Sequence, residues 1–120
     1  MTSLFKYYDR PEPSRMAVHL PRLIGSKQQL FQVYYEYLLL PGYFGFNWDA
    51  LYDVLTDLQW IKLQSVMIYH EAIPQISDED EALYMRLLDD SLRFWRARDE
   101  RRLLISFNKT DQQKVEQYLS

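Results

Sequence analysis

Leu40-Pro41-Gly42-Tyr43-Phe44-Gly45-Phe46-Asn47-Trp48-Asp49-Ala50-Leu51-Tyr52-Asp53-Val54-Leu55 reads as a turn feeding a helix, and the other elements fall into place around it. Pro41 disfavours helical geometry at Leu40, which stops a preceding apolar helix. Gly42 and Gly45, two of the three glycines in the chain, allow backbone angles closed to other residues. Asn47 is placed to cap a new helix, its side-chain oxygen accepting from a backbone N–H that has no helical partner. At about 100° per residue, Leu51, Val54, Leu55 and Leu58 share one side of that helix. Asp49 and Asp53 lie within about 40° of each other on the opposite side, beside Tyr52 and Thr56.

Like charges four residues apart cost a helix about 0.2–0.5 kcal/mol. The dipole at the helix start compensates Asp49 and does less for Asp53, a turn further in. Charge alone leaves two accounts open: a solvated face, or a pair of carboxylates awaiting a cationic partner. The aromatic setting of Tyr43, Phe44, Phe46, Trp48 and Tyr52 favours the second, because aromatics rimming charges are typical of protein-binding patches.

The segment LPGYFGFNWDALYDVLTDL, residues 40–58, resembles the hallmark of the barstar family. There, a leucine-proline turn and a tyrosine-rich glycine loop precede an asparagine-capped helix carrying Asp-Ala-Leu-aromatic-Asp. The close match covers about a sixth of the chain, and the order of elements extends a weaker one across residues 16–107. The resemblance implies a small noncatalytic α/β inhibitor that occludes the active site of a secreted ribonuclease. It implies that Asp49 and Asp53 enter the enzyme's cationic site and that Tyr43 lies over its catalytic region. Gly45 and Asn47 would shape the loop, Tyr52 would be an aromatic contact, Trp48 a neighbour and Thr56 a rim position. Phe46, Trp48 and Tyr52 depart from the family pattern, which has a polar residue, leucine and tryptophan there. The same mode of binding is then aimed at a different partner. An acidic contact from a later helix has no certain counterpart, although Glu79, Asp80 and Glu81 are nearby in order.

At 120 residues the chain is read as one domain, residues 1–120, with a core over about 16–107. A hydrophobic fraction of 48% with 16% aromatics argues for a packed globule and against disorder. There is no cysteine, hence no disulfide or thiolate metal site, which suits a cytoplasmic protein. No signal-peptide core opens the sequence and no long uncharged apolar run follows, so no membrane is expected as a partner. Residues 40–90 hold ten acidic against two basic residues, a net of −8, while the remainder carries +5. An acidic middle calls for a basic partner and repels nucleic acid.

Residues 1–15 are an arm in which Leu4, Phe5, Tyr7 and Tyr8 form a short extra strand or pack on the domain before Pro11 and Pro13. Met16–Leu20 reads as a buried strand, and Ser26-Lys27-Gln28-Gln29 opens a helix with stripe Leu30, Val33, Tyr34, Tyr37 and Leu38. The motif helix runs from Trp48 to Leu58 or Trp60. Ser65–Tyr69 is a second strand, apolar enough to be covered on both faces. Ser77 starts a long helix with Tyr84, Leu87, Leu88, Leu92 and Trp95 inward. Arg102–Phe107 is a third strand, and Thr110-x-x-Gln113 opens a short last helix docked by Val115, Tyr118 and Leu119. The expected fold is α/β: a small three-stranded parallel sheet flanked by helices, barstar-like, with an N-terminal arm and a short C-terminal helix.

Other chemistry is thinly represented. His19 and His70 sit in or at the ends of strands, where hydrogen-bonded structural histidines are common, and His70-Glu71 lacks a second histidine four residues on. Two aspartates alone make a poor metal site. Arg93, Arg96, Arg98, Arg101 and Arg102 gather near a helix end, where the dipole favours cations. No phosphate loop or nucleophile–base motif is present, so neither catalysis nor a cofactor is expected. The function expected is that of a cytoplasmic immunity protein against a basic secreted ribonuclease, barnase-like or another nuclease toxin, monomeric when free. The rivals are a barstar-fold regulatory module with a partner that is not a nuclease, and a metal-dependent hydrolase using the aspartates.

Overall fold

The apolar runs Val66–His70 (β3) and Leu103–Asn108 (β4) form the centre of a parallel sheet in the computed structural model. The structure describes residues 4–9, 17–38, 40, 42, 44–61 and 65–119. Ala17–Leu20 (β2) pairs with β3, and Lys6–Tyr8 (β1) pairs with β4, giving the order β1-β4-β3-β2 with every pair parallel. The sheet therefore has four strands where three were expected. The arm supplies the fourth because β4 would otherwise present an unpaired edge of N–H and C=O groups. Phe5, packed on the Phe107 ring at 5.1 Å, anchors it.

Register sets Val18 beside Ile68 and Ile68 beside Ile105, one row of the buried face. The other face is less covered than the expectation of two helical layers required. Met67 and Leu104 are half-buried there, and Tyr69 is shielded by its own neighbours, stacked on His19 at 5.0 Å and edge-on to Tyr8 at 5.3 Å.

Helix Lys27–Tyr37 (α1) begins at Ser26, whose hydroxyl accepts from the Gln29 N–H at 3.1 Å, while Gln29 reaches back to the Gly25 N–H at 2.8 Å. Its buried stripe is Leu30, Phe31 and Tyr34, continued by Leu38; Phe31 takes the inward place expected of Tyr37, which is exposed. Helix Asp78–Arg96 (α3) is capped by Ser77 and buries all five expected apolar residues. The last helix, Gln112–Leu119 (α4), follows a 3-10 turn at Lys109–Asp111. Asn108 caps that turn, in place of the expected Thr110, by accepting from the Thr110 N–H at 3.1 Å. Among the described residues no helix is long and apolar enough to cross a membrane.

Helix Trp48–Leu55 (α2) is shorter than its apolar pattern suggests. The chain turns left-handed at Leu58, φ 56°, and side chains from other elements take up the carbonyls at and beyond the helix end. Trp95 Nε1–H donates to the Leu55 carbonyl at 2.8 Å. Arg102 donates to those of Leu58 at 2.6 Å and Ile61 at 3.1 Å. Outward-facing carbonyls at a helix end need partners, and here the partners come from α3 and from the residue just before β4. Hydrogen bonds from a charged donor contribute about 1.5–3 kcal/mol. Arg102→Ala is therefore expected to lower unfolding free energy by about 2 kcal/mol in urea titration, with Arg102→Lys recovering only part of it. A loss below about 0.5 kcal/mol would mean that water replaces the guanidinium.

Candidate functional site: the outer face of α2

Asn47 caps α2 as the sequence suggests, Oδ1 accepting from the Ala50 N–H at 2.8 Å and Nδ2 donating to the Gly45 carbonyl at 3.2 Å. The left-handed residue in this loop is Phe46, φ 53°, and none of the described glycines has a positive φ. Such a conformation costs a residue with a Cβ about 1–2 kcal/mol. The Phe46 ring repays it by packing on Phe44 at 4.9 Å and Tyr35 at 5.1 Å. Gly45 serves close approach instead: a Cβ there would stand 3.0 Å from Asn47 Nδ2, in the cap itself. Pro41 and Tyr43 lie outside the described residues.

Leu51, Val54, Leu55 and Leu58 are buried, which turns Asp49 and Asp53 outward. Both carboxylates are exposed, and among the described residues neither makes a hydrogen bond or an ion pair. Tyr52, beside Asp49 on the helix, is half-buried. Trp48 is half-buried too, edge-on to Phe31 at 4.8 Å, and its enclosed Nε1–H has no acceptor among the described residues. Thr56 ends the helix, its hydroxyl donating to the Tyr52 carbonyl at 2.8 Å.

Trp48, Asp49, Tyr52 and Asp53 form one wall of an open groove of about 350 Å³. The other wall is α3, through Leu83, Arg86, Leu87 and Asp90. Gly45, Asn47 and Thr56 stand outside the groove, at the two ends of α2. The α3 wall was not foreseen, although residues 83, 86, 87 and 90 carry the spacing of a single helix face. Leu83, 42% exposed, is one of few large apolar side chains left open to solvent among the described residues.

Residues 17–108 match the family model described as Barstar (barnase inhibitor). The chain belongs to the barstar family. The match runs from β2 to the end of β4, so β1 and α4 are additions to the barstar-like part. That is why the family pattern suggested three strands. A comparison with curated proteins returned no match.

In this barstar-family chain His70, Arg93 and Arg98 have structural partners. His70 is fully buried, stacked on Phe107 at 4.0 Å. Its Nδ1 faces the Ser106 carbonyl at 3.0 Å, which can only accept, so Nδ1 carries the proton and Nε2 accepts from the Tyr84 hydroxyl at 2.6 Å. Tyr34 in turn donates to the Tyr84 oxygen at 2.6 Å, completing a chain in which every proton has an acceptor. Burial pushes the His70 imidazole down to about 4, the Ser106 carbonyl opposing, and burial holds both phenols neutral. In the arginine cluster, Arg93 pairs with Asp89 at 2.8 Å and Arg98 lies 3.6 Å over the Phe94 ring.

Proposed function

We propose that this barstar-family protein is a noncatalytic inhibitor of a secreted ribonuclease-type toxin, acting as its cytoplasmic immunity protein. The observation that carries the reading is the pair of exposed carboxylates, Asp49 and Asp53, without a partner among the described residues, on a capped helix within the family motif. A folded protein that leaves two like charges adjacent and unpartnered has them available to an outside cation. Arginine–carboxylate bonds are directional and stronger than neutral ones. The carboxylates would take the place of RNA phosphates among the basic residues of the enzyme, and no bond is broken by the inhibitor. Tyr43, Gly45, Asn47, Trp48, Tyr52 and Thr56 would complete the surface around them. The acidic middle of the chain adds long-range attraction for a basic enzyme.

The test is inhibition of the nuclease encoded beside the gene, with barnase as a second target. Stoichiometric loss of RNA cleavage and a complex on gel filtration are the expected results. Full nuclease activity in the presence of excess protein, with no complex, would overturn the reading. A stable complex with a host protein that cleaves no RNA would favour a regulatory module.

A further inference from the structure

The segments that follow β3 and β4 at their carboxyl ends line, with α3 and α4, a second, polar cavity of about 430 Å³. Crevices at the carboxyl ends of parallel strands are where open α/β sheets take their ligands. Its ionisable lining is Asp78 and Glu81 from α3, Asp111 from the 3-10 turn, and Lys114 and Tyr118 from α4; the β3–α3 loop adds no charge.

Glu81 is the unusual member. It is only 3% exposed, and its Oε1 has no hydrogen-bond partner among the described residues. Burial pushes its carboxyl up to about 7, with Lys114 pulling it down and Asp78 adding to the rise. Lys114 acts from a distance and makes no ion pair among the described residues. The field extends to Tyr118, whose hydroxyl is pushed up by burial and then by Glu81 and Asp78. A buried carboxylate oxygen with no donor is costly, and the cost is removed when a cation supplies N–H groups.

A metal ion does not fit: among the described residues no three acidic or imidazole side chains are grouped to hold one. Asp78 and Glu81, three residues apart on α3, suit a cation whose charge is spread over several N–H donors. Ile73 and Ile76 provide apolar wall for an alkyl body.

We propose that this cavity binds a small organic cation, an alkylamine or alkylguanidine, whose nitrogens donate to Glu81 and Asp78 while its carbon chain lies on Ile73 and Ile76. Glu81 releases its proton to solvent on binding, so the site is proton-linked. Asp111 adds attraction, and Lys114 opposes as a like charge. The proposal stands apart from the α2 surface and does not depend on the nuclease reading.

Calorimetric titration of the full chain with agmatine, at about pH 6 and about pH 8, tests it. Saturable one-site binding is expected, about tenfold tighter at the higher pH, the ratio of ionised Glu81 at the two values. Glu81→Gln should lose at least about tenfold in affinity together with the pH dependence, and Lys114→Ala should tighten binding. Should Glu81→Gln fail to fold, the Glu81 δ-carbon resonance of the unaltered protein decides, because agmatine must lower its titration midpoint. No saturable heat, or affinity unchanged in both Glu81→Gln and Asp78→Asn, would overturn the proposal. Saturable binding of magnesium or calcium ions at this cavity would overturn the organic-cation assignment.

Discussion

Asp53→Ala is expected to weaken the complex with the cognate nuclease at least tenfold while leaving the thermal midpoint nearly unchanged. The two halves of this result have separate causes. Asp53 is exposed and has no partner among the described residues, so its loss removes nothing that holds α2 in place. Relief of the like-charge contact with Asp49 is worth about 0.2–0.5 kcal/mol and favours the folded variant slightly. In the complex, truncating one member of a buried interfacial charge pair costs about 2–5 kcal/mol, mostly because the partner's cation is left enclosed and unpaired. The barnase–barstar pair itself helped to set that range, which is carried over from the family here. Surface plasmon resonance with the nuclease and a thermal melt of the free variant together make the test. An unaltered dissociation constant would remove Asp53 from the site, and a fall of many degrees in the midpoint would reveal a structural role.

The second large effect is on stability against pH, where two buried groups act in opposite directions. His70 has a folded pKa of about 4 against an ordinary 6.5. Between those values the unfolded chain binds the extra proton, so stability falls as pH falls through the window and levels off below it. At about 1.4 kcal/mol per pH unit the loss reaches about 3 kcal/mol. Protonation would also reverse the chain of hydroxyls, leaving the Tyr34 proton without an acceptor. Glu81 does the opposite: its folded pKa of about 7 lies above the ordinary 4.5, so the folded state holds the extra proton between them. That contribution is complete below the lower value and is lost as pH rises through the upper one. Where the windows overlap, the two slopes oppose each other.

Urea unfolding across this range is expected to show the opposition directly. Glu81→Gln should lose stability toward acid more steeply than the unaltered protein. His70→Gln, although less stable throughout, should gain relative stability as pH falls through about 7. Parallel pH profiles for all three proteins would refute both assignments.

What could be read beforehand follows the range of the interactions involved. Asn47 as cap and Leu51, Val54, Leu55 and Leu58 as the buried face depend on residues within two turns, and the sequence carries both. The end of α2 does not, because Trp95 and Arg102, some forty residues away, take up the carbonyls at and after Leu55. Strand β1 is three residues with no alternation to betray it; its place follows from the open edge of β4. Glycine-rich composition points the left-handed turn to Gly42 or Gly45, whereas the rings of Phe44 and Tyr35 hold it at Phe46. His70 was rightly expected to be structural, yet its partners Tyr84 and Tyr34 come from helices that only the fold brings together. For the same reason the α2 half of the groove was visible and the α3 half, with Arg86 and Asp90, was not.

The anchorage of α2 has a consequence for how such a protein changes its target. Its fixings lie apart from Asp49, Tyr52 and Asp53: the Asn47 cap, the apolar side, the Trp95 bond to Leu55 and the Arg102 bonds beyond. Asp49, Tyr52 and Asp53 lend little to this, and only the Thr56 hydroxyl folds back onto the helix. The outward positions are thus released from the duty of keeping the helix folded. Substitutions at these positions can then change what the surface recognises, one at a time, without passing through an unfolded intermediate.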